Sequence, residues 1–200
     1  MDLAGRTIIV IRHGETDWNK VGRMQGQMDI PLNDTGRSQA RRNGFALADY
    51  LRDTGKTAED YIWHASPLGR TRETLELVRS SMRLPNEGCI FDDRLKEFTF
   101  GDWEGEILHD LKKKAPEVYR ARRADKWNYQ PPNGESYEML LTRVRPWLAS
   151  TKGDIITVTH GGVIRVLWHL LENRSKETVT EETVAQEKVY VFRDGQACFI

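Results

Sequence analysis

Cysteine is nearly absent from this chain of 200 residues: Cys89 and Cys198 are the only two, far apart and without metal-ligand spacing. Their scarcity excludes a disulfide framework and a thiolate zinc site, and it fits a reduced, cytoplasmic setting. Net charge is missing too, because 30 Lys and Arg balance 30 Asp and Glu. No global basic field favours nucleic acid, and there is no acidic tail. Nor is there an apolar run long enough for a secretion signal or a membrane span. Internal repeats and low-complexity stretches are lacking as well. What remains is a chain long enough to bury a substantial core, expected as one domain over 1–200.

The most telling feature is Arg12-His13-Gly14, directly behind the β-branched run Thr7-Ile8-Ile9-Val10-Ile11. Such a run reads as a buried strand, and its C-terminal end would lie on the sheet rim where α/β folds bind ligands. The arrangement recurs where Ile155-Ile156-Thr157-Val158-Thr159 runs into His160-Gly161-Gly162. A single His in a glycine turn is ordinarily a hydrogen-bonded turn residue. Two of them, each ending a strand, bring two imidazoles to one sheet edge.

Between these motifs, Gly14 to Leu32 reads as a loop rich in Gly, Asp and Asn. Asn33 caps a helix running to about Asp53, with Ala40, Phe45, Ala48 and Leu51 expected inward. Asp60–His64 reads as a second strand; Ser66 and Pro67 start a helix with Leu75, Leu77 and Val78 on one side. An edge strand is expected near Ile90-Phe91, then an excursion of two short helices over about 101–132. A helix from Ser136 should be ended or kinked at Pro146, and Gly162–Leu171 is helical. Asp194-Gly195 signals a closing hairpin between Lys188–Phe192 and Ala197–Ile200. Strands alternating with helices imply an α/β fold, a mainly parallel sheet covered on both faces with an antiparallel finish.

The strand ending at His64 delivers Ser66, Pro67 and Arg70 to the same rim, whereas Arg72 and Arg79 read as solvated helix charges. Glu97 precedes Phe98 and Gly101-Asp102-Trp103-Glu104-Gly105, and a carboxyl tucked against Phe98 and Trp103 would be partly desolvated. His169 and His109 read as helix-surface or packing residues. His64 stays open as a substrate contact.

Arg12-His13-Gly14-Glu15-Thr16, Trp18-Asn19, Ser66-Pro67-Leu68-Gly69-Arg70, Glu97 ahead of Gly101–Gly105, and Thr159-His160-Gly161-Gly162 together resemble the histidine phosphatase superfamily, in its order and over residues 7–170. The resemblance implies a phosphoglycerate mutase-like three-layer α/β/α fold. It makes His13 the nucleophile of a phosphohistidine intermediate, with Arg12 and Arg70 clamping phosphoryl oxygens and His160 donating to another. Glu97 would protonate the leaving oxygen and then activate water; in the acid phosphatase branch an acid directly follows the second His, where this chain has Gly161 and Gly162. Asn19, Arg23, Gln25, Gly26 and Gly161 would complete the phosphate pocket. The resemblance calls for neither cofactor nor metal. The expected partner is a small phosphorylated metabolite, with neither nucleic acid nor membrane; a homodimer is left open.

Mutases of the family usually carry a longer basic insertion after the catalytic Glu, whereas only about 40 residues separate Glu97 from the Ser136 helix. This favours a phosphatase over a phosphoglycerate mutase. A silent phospho-ligand binder would have lost its nucleophile, and His13 is present. Lys112-Lys113-Lys114 with Arg120, Arg122 and Arg123 read as a solvated face or, alternatively, as contacts to a substrate with further negative charge.

Overall fold

The computed structural model describes residues 4–200. Its strands are β1 (Thr7–Arg12), β2 (Tyr61–Ala65), β3 (Cys89–Phe91), β4 (Asp154–Thr159), β5 (Val189–Arg193) and β6 (Gln196–Phe199). They form one sheet in the order β3-β2-β4-β1-β5-β6. The first four strands of that order are parallel, and β5 and β6 are antiparallel. The helices are α1 (Asp17–Lys20), α2 (Asp34–Asp53), α3 (Gly69–Ser81), α4 (Leu108–Lys114), α5 (Pro116–Ala124), α6 (Tyr137–Ser150), α7 (Gly161–Glu172) and α8 (Lys176–Glu181).

The two-residue period of a strand sorts the apolar run of β1 onto both faces. Ile9 and Ile11 join Ile156 and Val158 against Leu47 and Leu51 of α2 and Leu75 and Val78 of α3. Ile8 and Val10 join Ile155 on the opposite face, against Leu140 and Trp147 of α6 and Val163 and Leu167 of α7. Each such side chain, fully buried, contributes about 1.5–3 kcal/mol. A continuous β-branched run is therefore what a central strand with two covered faces requires.

Details depart from the sequence expectation. Phe45 is 57% exposed and Leu47 is buried instead. The buried stripe of α2 follows Gly36, Gln39–Ala40, Asn43–Gly44, Leu47 and Leu51, so polar residues disguise its phase. Those polar residues are there for the loops: Gln39 Oε1 accepts from Glu15 N at 2.8 Å, and Asn43 Nδ2 donates to the Gln186 carbonyl at 2.8 Å. Ala48 and Leu77 are only half-buried. Helix α6 runs through Pro146 to Ser150, because Trp147 and Leu148 beyond it are fully buried and hold the last turn in place. Arg79 is not solvated. It is 6% exposed, donates to the Pro85 and Glu87 carbonyls and lies over Trp63. The one-turn helix α1 falls within the expected loop, and α8 gave no sequence signal.

The topology explains where a site can form. β1 and β4 are neighbours, yet the chain leaves β1 for α2 on one face and leaves β4 for α7 on the other. The loops part at the carboxyl ends of these two strands and leave a crevice, the switch point at which open α/β sheets bind ligands. His13 and His160 follow these two strand ends.

Candidate active site

His13 continues the β1–β4 ladder, donating from its backbone to the Thr159 carbonyl at 2.9 Å. Its ring lies 5.2 Å from that of His160, centroid to centroid. His13 Nδ1 is 2.8 Å from the Gly14 carbonyl oxygen. A carbonyl can only accept, so Nδ1 carries the hydrogen and Nε2 keeps the lone pair. Gly14 permits this turn by close approach: a Cβ there would stand 2.3 Å from the Gly36 carbonyl oxygen at the start of α2.

Arg12 and Arg70 flank the imidazole. Arg12 donates through Nη1 to the Val184 carbonyl at 2.6 Å, and Arg70 through Nη1 and Nη2 to the Met28 and Gly26 carbonyls at 2.7 Å. In both, the buried Nε has no hydrogen-bond partner among the described residues. Burial, with the Arg165 charge next, pulls Arg12 down to about 10, which leaves it a cation at neutral pH. Glu97 is fixed from two sides: Oε1 accepts from Phe98 N at 3.1 Å and Oε2 from Gly162 N at 3.0 Å in the first turn of α7. Its backbone carbonyl is held by Gln27 Nε2 and Arg143 Nη2, both at 3.0 Å.

A cavity of about 280 Å³ opens at this point. Nine of the ten residues singled out in the sequence line it: Arg12, His13, Asn19, Arg23, Gln25, Gly26, Arg70, Glu97 and Gly161. His160 does not. It is completely buried behind His13, with Nε2 2.8 Å from Ser66 Oγ and Nδ1 unpartnered. Thr16 caps α1 in a reciprocal box with Asn19, whose Oδ1 also accepts from Gln186 Nε2 at 3.1 Å. Gln25 Oε1 accepts from Thr16 Oγ1 at 3.0 Å, and Arg23 donates to the Gly105 carbonyl at 2.8 Å.

The sequence reading missed Arg165, Lys126 and Tyr137, which also line the cavity. Arg165 was legible in principle, since it lies one helical turn beyond Gly161 on the same face of α7. Of the basic segment 112–123 only Arg122 reaches the cavity, and Lys112, Lys113, Lys114, Arg120 and Arg123 are exposed. His64 turns away from the cavity to pack edge-on against Trp147. His169 donates from Nδ1 to the Arg174 carbonyl and packs on Trp127, and His109 is exposed. Glu104 is a staple, its Oε1 accepting from Gln27 N, Thr99 Oγ1 and Phe100 N. Among the described residues no group of three His, Cys, Asp or Glu side chains converges as metal ligands would.

Burial first, then the Arg70 charge, holds both His13 and His160 well below the usual 6.5. This has a measurable consequence for stability. Below pH 6.5 the unfolded chain takes up a proton at each of these rings while the native protein does not. The unfolded state thus binds more protons, and stability falls as pH drops from about 6.5 toward the folded-state pKa of each ring, by about 1.4 kcal/mol per pH unit per histidine. Urea unfolding between pH 6.5 and 5 should show this decline, with a shallower slope for His13→Ala. Equal slopes in the two proteins would mean that the native His13 ring is charged.

A cationic crevice at the switch point of the sheet, lined by one imidazole with a second buried behind it, is equipped to bind a phosphoryl group. The chain belongs to the histidine phosphatase superfamily (branch 1), whose profile matches residues 8–196. It is 33% identical over 192 residues to phosphoglycerate mutase-like protein 4 of Arabidopsis thaliana, covering 93% of this chain and 78% of that one. It is 34% identical over 167 residues to a metal-independent phosphoserine phosphatase of the same plant, covering 80% of this chain and 66% of the relative. Among solved structures, a putative alpha-ribazole-5'-P phosphatase from Escherichia coli superposes with a TM-score of 0.78 at 28% identity, covering 98% of this chain and 95% of that one. A mycobacterial glucosyl-3-phosphoglycerate phosphatase superposes at 0.75 with 26% identity, covering 93% and 89%.

Proposed function

We propose that this protein is a cytoplasmic, metal-independent phosphomonoester hydrolase acting through a phosphohistidine on a small phosphorylated metabolite. The observation that carries this reading is the state of His13. It is neutral, its Nδ1 hydrogen is committed to Gly14, and its Nε2 is left as the nucleophilic nitrogen between two guanidinium groups. Attack by Nε2 on phosphorus breaks the ester P–O bond and leaves the phosphoryl group on the ring. Arg12 and Arg70 neutralise the equatorial oxygens, and being anchored to carbonyls they need no reorganisation as charge shifts. His160 shares a hydrogen bond between Nε2 and Ser66 Oγ, and its role is to donate to a phosphoryl oxygen as charge shifts. Glu97 delivers a proton to the departing oxygen and takes one from the water that hydrolyses the intermediate.

The charge stabilisation thus comes from side chains. Exhaustive chelation is expected to leave the rate within about twofold, and vanadate should inhibit. Lost activity restored by magnesium or zinc would reject the metal-independent reading. The relatives also include phosphoglycerate mutases, so the decisive screen sets free-phosphate release from phosphomonoesters against isomerisation of phosphoglycerate with and without 2,3-bisphosphoglycerate. The hydrolase reading requires phosphate release that does not depend on the bisphosphate.

A further inference from the structure

The cavity holds more positive charge than one phosphoryl group uses. Arg12, Arg23, Arg70, Arg122, Lys126 and Arg165 line it, and Glu97 is the sole carboxylate among the lining residues. Arg12 and Arg70 lie beside His13. Arg122, Lys126 and Arg165, supplied by α5, the segment after it and α7, carry the charge outward from that pair, with Arg165 next to Arg12 as the link.

We propose that Arg122, Lys126 and Arg165 form a second anion subsite, so that the substrate is a phosphomonoester bearing a further carboxylate or phosphate on a short carbon frame. This rests on the hydrolase reading and specifies its substrate class. Arg165 is pre-aimed: Nε and Nη2 donate to the Glu182 carbonyl at 3.1 and 2.9 Å, and Nη1 lies 3.4 Å from Tyr137 Oη. Lys126 is tethered to the Thr180 carbonyl and to Glu181. Arg122 differs from both, since its guanidinium makes no hydrogen bond or ion pair with any described residue. Burial lowers the pKa of Arg122 and of Lys126, and the Arg165 charge lowers both further. Holding three cations together with one carboxylate between them is unfavourable, and a bound anion relieves it. Met24, Phe98, Phe100 and Leu108 give the intervening wall an apolar surface suited to a carbon chain.

The test compares esters that differ by one acidic group. The pairs are 3-phosphoglycerate with glycerol 3-phosphate, O-phosphoserine with O-phosphoethanolamine, and fructose 1,6-bisphosphate with fructose 6-phosphate. The first two pairs probe a carboxylate and the third a second phosphate. In at least one pair kcat/KM should favour the acidic member by about 10- to 100-fold, the loss expected when a charged partner is left unpaired. Arg122→Met should bring that ratio below about threefold, and Arg122→Lys should restore part of it. Parent ratios near one in every pair, or equal losses for both members in Arg122→Met, would overturn the subsite. Calorimetric titration of the same pairs into His13→Ala reads the preference without turnover. Inert esters that still bind with the preference would remove the hydrolase reading and leave the subsite standing. Hydrolysis with no preference would do the reverse.

Discussion

His13→Ala should lose turnover by several orders of magnitude on every phosphomonoester, while its thermal unfolding at neutral pH stays close to that of the parent. The ring faces the cavity and makes one polar contact, to the Gly14 carbonyl, so its removal leaves the core around β1 unaltered. What disappears is the covalent route that divides one difficult displacement into two easier ones. Rapid quenching of the parent without acid should trap a phosphate labile to acid and stable to base, and the variant should trap none. An acid-stable label would point to a serine or threonine ester and would sink the proposed nucleophile.

Glu97→Gln should lower turnover by about 10²–10⁴ on alkyl phosphates, whose leaving groups need a proton. The substitution is less innocent than its size suggests. Both carboxylate oxygens accept from backbone N–H groups, Phe98 on one side and Gly162 on the other. A glutamine amide has only one accepting atom, so one of these donors loses its partner at a cost of about 1–3 kcal/mol. The leaving-group dependence is therefore the informative readout. An activated aryl phosphate departs without protonation, and burst kinetics should show its first step far less impaired than that of an alkyl ester. Equal losses in that step would confine Glu97 to positioning and pass the acid role to another residue.

The strands were legible because burial on both faces leaves a chemical trace: Thr7–Ile11 and Ile155–Thr159 are wholly β-branched, with Thr the only polar type among them. The rim motifs were legible for a related reason, since a residue at a strand end is placed by the strand itself. Helix α2 was harder. Its inner face carries Gln39 and Asn43, which bond the loops that frame the cavity, so hydrophobic periodicity pointed to Phe45 in place of Leu47. Arg79 misled in the same way, as a guanidinium buried over Trp63 looks in sequence like any helix charge. Lys126 and Gln186 could not be read as cavity neighbours from spacing alone, and Arg165 only through its place one turn beyond Gly161 on α7. They reach the cavity and the His13 carbonyl through tertiary placement of α7, α8 and the segment after α5.

β1 is made before β4 and β5, the two strands that flank it in the sheet. Even the carbonyl of His13 waits for Gln186, and the guanidinium of Arg12 for Val184. Until those strands follow, a strand with two apolar faces lacks its partners, and contacts this distant in sequence are slow to close. Segments beyond α6 supply Arg165, the carbonyl that anchors Arg12 and both neighbours of β1, so the proposed phosphoryl-transfer site is completed only as these distant segments pack.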